Sequence, residues 1–123
     1  MSTAGLIAIM NEDGSCRSIY CHYDMYPSDA GTVLMKHYQS SEAVEELLAL
    51  GDLSSLGSTP AQCEAYHRDR GEELNEPTKW ADRWILARKA SDYFGVNYVD
   101  LFMDGEWLCS DGGGWTPVAD RPE

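Results

Sequence analysis

Ile19-Tyr20-Cys21-His22-Tyr23-Asp24-Met25-Tyr26-Pro27-Ser28-Asp29-Ala30-Gly31 is the stretch where an alternating pattern gives way to a helical one. Upstream, Ile7 and Ile9 alternate with Ala8, and Ile19, Cys21 and Tyr23 alternate with Tyr20 and His22, the two-residue period of a strand. Asn11-Glu12-Asp13-Gly14 lies between the two runs, with Gly14 able to take the positive φ of a tight turn. Residues 6–23 therefore predict a β-hairpin. Downstream, Pro27 ends the extended path, Ser28 or Asp29 offers a side-chain oxygen as a helix cap, and Val33, Leu34, His37 and Tyr38 follow at helical spacing.

A second helix is predicted after Ser40/Ser41, with Glu42 in its first turn, Val44, Leu47 and Leu48 as its buried stripe and Gly51 as its stop. Residues 52–60 read as loop and 61–70 as a third strand, with Cys63, Ala65 and His67 facing one way. Thr78 then caps the longest predicted helix, 79–94, with Trp80, Trp84, Ala87 and Ala90 along one side and Gly95 at its end. Residues 97–103 and 106–110 flank Asp104-Gly105, a strong hairpin signal. The order is ββ-αα-β-α-ββ. It predicts an α+β fold, an antiparallel sheet built from the N- and C-terminal hairpins with about three helices packed mainly on one face. Residues 1–111 form a single α+β domain in this reading, and 112–123 a Gly-rich linker and mobile tail.

The chain has 123 residues, enough for one domain with a substantial core. Its net charge of −12 is unevenly spread. Residues 1–60 carry eight acids and two bases, and residues 96–123 six acids and one base. The middle, 61–95, holds seven acids against six bases, Arg68, Arg70, Lys79, Arg83, Arg88 and Lys89. Such a field repels phosphate backbones and argues against direct nucleic-acid binding, while it favours partners with a basic surface. Acidity also keeps a small protein in solution without any further role. No apolar run approaches the roughly 18 residues of a membrane span, and the start has no basic region, so a soluble cytoplasmic protein is expected. Cys16, Cys21, Cys63 and Cys109 have neither zinc nor redox spacing and are expected to be thiols in or near the core. No metal and no cofactor are expected.

Two constellations could carry chemistry. His22, Asp24 and Tyr26 would share a face of an extended chain, offering an imidazole, a carboxylate and a phenol for acid–base work. The plainer alternative is a polar strand end bonded into the turn. In Tyr66-His67-Arg68-Asp69-Arg70, Arg68 and Arg70 alternate on the expected strand and could clamp an anion, or could pair with Glu64, Glu72 and Glu73. No P-loop, dinucleotide fingerprint, nucleophile elbow or zinc-protease motif is present. Trp107 and Trp115, on or after the last strand, are candidate interface anchors.

Ser2-Thr3, Ile7-Ala8, Asn11–Ser15, Ile19–His22, Asp24, Tyr26-Pro27, Gly31, Leu34, His37-Tyr38 and Leu50–Gly57 resemble a family of small proteins encoded by bacteriophages, prophages and other mobile elements. Its members read Tyr-Cys-His-Trp-Asp-Gly-Tyr-Pro through the first segment, and often carry a run like Arg68-Asp69-Arg70-Gly71. The resemblance covers roughly residues 1–73. The chain departs from the pattern at Ala4-Gly5, where the family has Arg-Ser, at Tyr23 for Trp, and at Met25 for a Gly that would permit close approach of a ligand or backbone. The resemblance implies a small accessory protein acting against host defence, as anti-CRISPR proteins do, within the host bacterial cell. The expected function is a stoichiometric inhibitor of a host nucleic-acid-handling complex. It would bind that complex's basic surface by mimicking nucleic acid through Glu12, Asp13, Asp24, Asp29, Asp104, Glu106, Trp107 and Asp111. The alternative is a small enzyme or a nucleotide- or phosphate-binding protein using His22, Asp24 and Tyr26 with Arg68 and Arg70.

Overall fold

The apolar run Gly-Leu-Ile-Ala-Ile-Met, β1 (Gly5–Met10), forms the middle of a sheet and is buried on both faces: Leu6 and Ile7 point opposite ways and both are shut off from water. An unbroken apolar strand needs partners on both sides and cover above and below. The computed structural model describes residues 3–120. Around β1 it places β2 (Cys16–Cys21), α1 (Thr32–His37), α2 (Ser41–Leu48), β3 (Leu53–Ser55), β4 (Glu64–Ala65) and α3 (Tyr66–Arg70). The chain continues through β5 (Thr78–Trp80), α4 (Arg83–Phe94), β6 (Tyr98–Met103), β7 (Glu106–Ser110) and β8 (Thr116–Pro117). The described residues thus form a mixed α/β fold, an eight-stranded sheet in the order β4-β3-β2-β1-β6-β7-β8, with β5 paired to the first half of β2.

The two expected hairpins are present. β1 pairs antiparallel with β2, and β6 with β7 across Asp104-Gly105, whose φ angles of 52° and 78° are those of a two-residue hairpin turn. They do not make an antiparallel sheet, however. β1 and β6 run parallel, with Ile7 beside Asp100 and Ile9 beside Phe102, and β2 meets β3 in parallel at Cys21 and Leu53. Parallel neighbours need crossovers, which α1–α2 and α4 supply. The sheet is therefore mixed, and the expected helices on one face become helices on both. Leu34 of α1 and Val44, Leu47 and Leu48 of α2 pack with Ile7, Ile9, Ile19 and Phe102. On the opposite face Leu86 and Ala90 of α4 pack with Leu6, Ala8 and Leu101. Cys16 and Cys21 fall in these two opposite cores, as their spacing on a strand requires.

Three local expectations change. Pro27–Gly31 winds as one wide π-type turn leading straight into α1, and neither Ser28 nor Asp29 caps it. The expected long helix begins later, at Arg83, because Asp82 captures the Ile85 amide at 2.8 Å while Thr78–Trp80 is drawn off to pair with β2. Trp80 is thereby buried and donates to Ser18 Oγ, whereas Trp84 stays 51% exposed with Arg83 over its ring. Of the expected tail 112–123, residues 121–123 lie outside the described residues, as does Ser2. Within the rest, β8 pairs with β7, Trp115 donates to the Arg83 carbonyl, and Val118 is buried. Val118 Cγ1 lies 2.6 Å from where a Cβ on Gly31 would sit, so the last segment is seated on a glycine.

Gly5 is a second point of close approach. A Cβ there would lie 2.8 Å from the Tyr98 carbonyl oxygen and 2.9 Å from Met25 Cβ, in the middle of a sheet that cannot shift. Gly5→Ala is expected to destabilise the protein by about 1–3 kcal/mol in chemical denaturation. A loss below about 0.5 kcal/mol, the level of an ordinary surface change, would show that the strand is not held in this way.

Candidate functional site

The expected sites are taken apart by the path of the chain. β2 ends at Cys21, and Asp24 turns left-handed with φ 62°, which breaks the alternation on which a shared face of His22, Asp24 and Tyr26 rests. The His22 ring bonds the Tyr20 hydroxyl through Nδ1 at 2.7 Å and meets Tyr23 edge-on. Asp24 instead lines a groove of about 490 Å³ with Tyr23, Ser28, Asp29, Thr32 and Val33. Tyr26 lies beside the Tyr98 ring. Met25 between them is fully buried, its amide donating to the Thr3 carbonyl. Burial pushes the Tyr20 phenol above its ordinary pKa, which keeps it a neutral partner for His22.

Arg68 and Arg70 lie on the short helix α3 and not on a strand, and each is engaged within the fold. Arg68 bonds Asp69 as well as the carbonyls of Pro60 and Cys63, while Arg70 bonds Glu64 and Ser54 and sits over the Tyr66 ring. The arginines are thus spent on their own neighbours, and an incoming anion would have to displace these bonds. Asp69 also accepts the Ala65 amide at 2.8 Å. The bond from Arg68 and that amide hold the Asp69 carboxyl down at about 2.

The acidic candidates fall into two groups at opposite ends of the sheet. Since β1 and β6 are parallel, the turns that follow them sit side by side, and Glu12, Asp13, Asp104 and Glu106 gather at that end. Because β2 and β7 run back the other way, Asp24, Asp29 and Asp111 lie at the far end. All seven are exposed. Asp13 accepts both the amide and the hydroxyl of Ser15, which lowers its pKa and keeps it ionised. Trp107, the eighth candidate, is buried at 4% exposure. It packs on Phe102 and donates to the Tyr38 carbonyl at 2.8 Å, so it anchors the core and presents no surface to a partner. The β7 pattern inverts the expectation, since Trp107 faces the α1 side of the sheet and Glu106 faces out.

Arg17–Glu45, Arg68–Asp69 and Arg70–Glu64 are ion pairs between described residues, and none of them includes Glu12, Asp13, Asp104 or Glu106. No three His, Cys, Asp or Glu side chains among them converge as a metal-ligating group, and no helix is long and apolar enough to cross a membrane. Sequence reasoning missed the apolar neighbours of the first acidic group, Met10, Phe102 and Met103, whose only signal was their place at the strand ends beside the turns. All four thiols are buried, and burial pushes Cys16 up to about 11 and Cys21 up to about 12.

Fold and surface together define an acidic mixed α/β protein with carboxylates at both ends of its sheet, in which His22, Asp24 and Tyr26 do not share a strand face. Comparison with family models, curated proteins and solved structures finds no match to the chain.

Because its folded pKa is lowered, the Asp69 pairing contributes stability above the ordinary carboxylate range near pH 4 and loses it as pH falls toward 2. Carboxyl-detected NMR titration is expected to find the Asp69 midpoint near 2 and to find it raised in Arg68→Ala. An unchanged midpoint in that variant would mean that Arg68 does not hold the carboxylate. Trp107→Ala is expected to cost about 3–5 kcal/mol of folding stability, as removal of a core aromatic does. A stable Trp107→Ala protein would return that residue to the candidate surface.

Proposed function

We propose that the protein is a small acidic accessory protein of a phage or mobile element. In this reading it acts as a stoichiometric inhibitor of a host nucleic-acid-handling defence complex, occupying a basic surface that nucleic acid would otherwise fill. The observation that carries it is the gathering of Glu12, Asp13, Asp104 and Glu106 at one end by the parallel β1–β6 pair, with no ion pair between them and any described base. Unneutralised carboxylates on rigid turns present the same kind of charge to Lys and Arg as a phosphate backbone does.

The resemblance to phage-encoded proteins supports the same reading. Two of the places where the chain departs from that pattern, Gly5 and Met25, touch each other: the Met25 side chain fills the space that a side chain at position 5 would need. Met25 is thus buried in the core against Gly5 and adds nothing to the surface. His22, Arg68 and Arg70, on which the enzyme alternative depends, are each committed to neighbours within the fold.

The test is displacement of fluorescent DNA from purified bacterial nucleic-acid-handling complexes, CRISPR effectors among them, by the purified chain. Near-stoichiometric displacement is expected at low salt, weakening as ionic strength rises and the Debye length falls from about 10 Å toward 3 Å. Failure to displace DNA from every complex in the panel at molar excess, or displacement indifferent to salt, would end this reading.

A further inference from the structure

We propose that the outward side of α4 is a docking surface for an acidic partner segment in which Asp or Glu alternates with apolar residues; this goes beyond the inhibitor reading and does not depend on it. In a chain of net charge −12, residues 83–94 carry three bases, Arg83, Arg88 and Lys89, against one acid, Asp92. Leu86, Ala87 and Ala90 turn inward to the core. At about 100° per residue, the opposite side carries Trp84 and Arg88 on one flank and Lys89 and Tyr93 on the other, with Asp92 between. Trp84 is 51% exposed, Tyr93 70% and Phe94 36%. An aromatic at each end of the helix thus brackets two cations.

These groups are set in place and left open. Arg83 lies over the Trp84 ring at 4.7 Å and donates to Met103 Sδ, while the buried Trp80 stands behind Tyr93 and Phe94 with ring centroids 6.0 and 6.1 Å away. Arg88 and Lys89 are exposed, and neither has a hydrogen bond or ion pair among the described residues. Arg17, Arg68 and Arg70, by contrast, are each held by a carboxylate.

The charge and the rings together select the occupant. Two cations without partners call for anionic groups, and the rings at either end for apolar side chains. A nucleic-acid strand carries phosphates along its whole length, and those that reach past the helix meet the net charge of −12. An anionic bilayer meets the same field, and the most apolar side of α4 is already buried in the core and cannot enter it. A second copy of the chain brings the same overall charge. A short segment with a few carboxylates sets them beside Arg88 and Lys89 and lays its apolar residues on Trp84 and Tyr93, about 13 Å apart along the helix axis.

Fluorescence anisotropy at low salt, where screening is weak, tests this surface with two labelled peptides of equal charge, one alternating Glu with Leu and Phe and one alternating Glu with Ser. The apolar-bearing peptide is expected to bind the full chain at least about tenfold more tightly. Arg88→Gln with Lys89→Gln is expected to weaken it by about fivefold, and the control pair Lys36→Gln with Lys79→Gln, the same change in charge, by less than about twofold. Trp84→Gln with Tyr93→Gln is expected to bring the two peptides to within about twofold of each other, since it removes the anchors and leaves the cations. Amide shift changes on binding should concentrate in residues 83–94. All six substituted residues are exposed, so circular dichroism should show unaltered folding.

Equal binding of the two peptides to the unsubstituted chain, equal losses in the two charge variants, or shift changes away from α4 would overturn the surface. Tighter binding of an oligothymidine of equal charge, lost with Arg88 and Lys89, would overturn the assigned occupant in favour of a nucleic acid. Self-association in sedimentation that the same variant abolishes would overturn it in favour of a second copy. The peptide assay contains no DNA-bound complex, so its failure leaves the inhibitor reading standing, and failure to displace DNA leaves this surface standing.

Discussion

Parallel pairing of β1 with β6 is the constraint from which the rest of the molecule follows. β1 has no polar face to turn toward water, so both of its sides must be covered and both of its edges paired. Antiparallel β2 satisfies one edge. The other takes β6, and the chain reaches β6 in the parallel sense by way of α4, which covers Leu6, Ala8 and Leu101 as it crosses. α1 and α2 cover Ile7 and Ile9 in the same way on the opposite face. Each fully buried aliphatic side chain in these layers contributes about 1.5–3 kcal/mol, far above what any surface pair here adds.

That same pairing organises the surface. In an all-antiparallel arrangement with β1 and β6 as neighbours, the turns after them would lie at opposite ends of the sheet. Run in parallel, they bring the 11–15 and 104–105 turns together, with their carboxylates over the side chains at the ends of the two strands. Of the arginines, Arg17 bonds Asn11 of the 11–15 turn as well as Glu45 of α2, Arg68 and Arg70 bond their neighbours around α3, and Arg83 lies over Trp84.

Individual residues show where a local signal yields to a tertiary demand. Thr78 and Asp82 are both competent helix caps, and Asp82 prevails because the first half of β2 needs an edge partner that Thr78–Trp80 supplies. Arg68 and Arg70 satisfy strand alternation on paper, but Glu64–Ala65 completes the edge of β3 and the chain coils immediately afterwards into α3. Asp100 sits at the centre of Tyr-Val-Asp-Leu-Phe-Met and is carried wholly into the interior, where an acidic residue in an apolar strand was the only mark of it.

By itself the sequence determined what short-range physics controls. The two hairpins, the Ser40 cap of α2, the glycine stops at 51 and 95, and the acidity of the hairpin turns are all set by neighbours within a few residues. The tertiary structure alone decided the direction in which β6 lies along β1, the burial of Trp107, the seating of Val118 on Gly31, and which carboxylates share an end. Those depend on contacts between residues tens of positions apart, and strand periodicity reads the same whether a neighbour runs parallel or antiparallel.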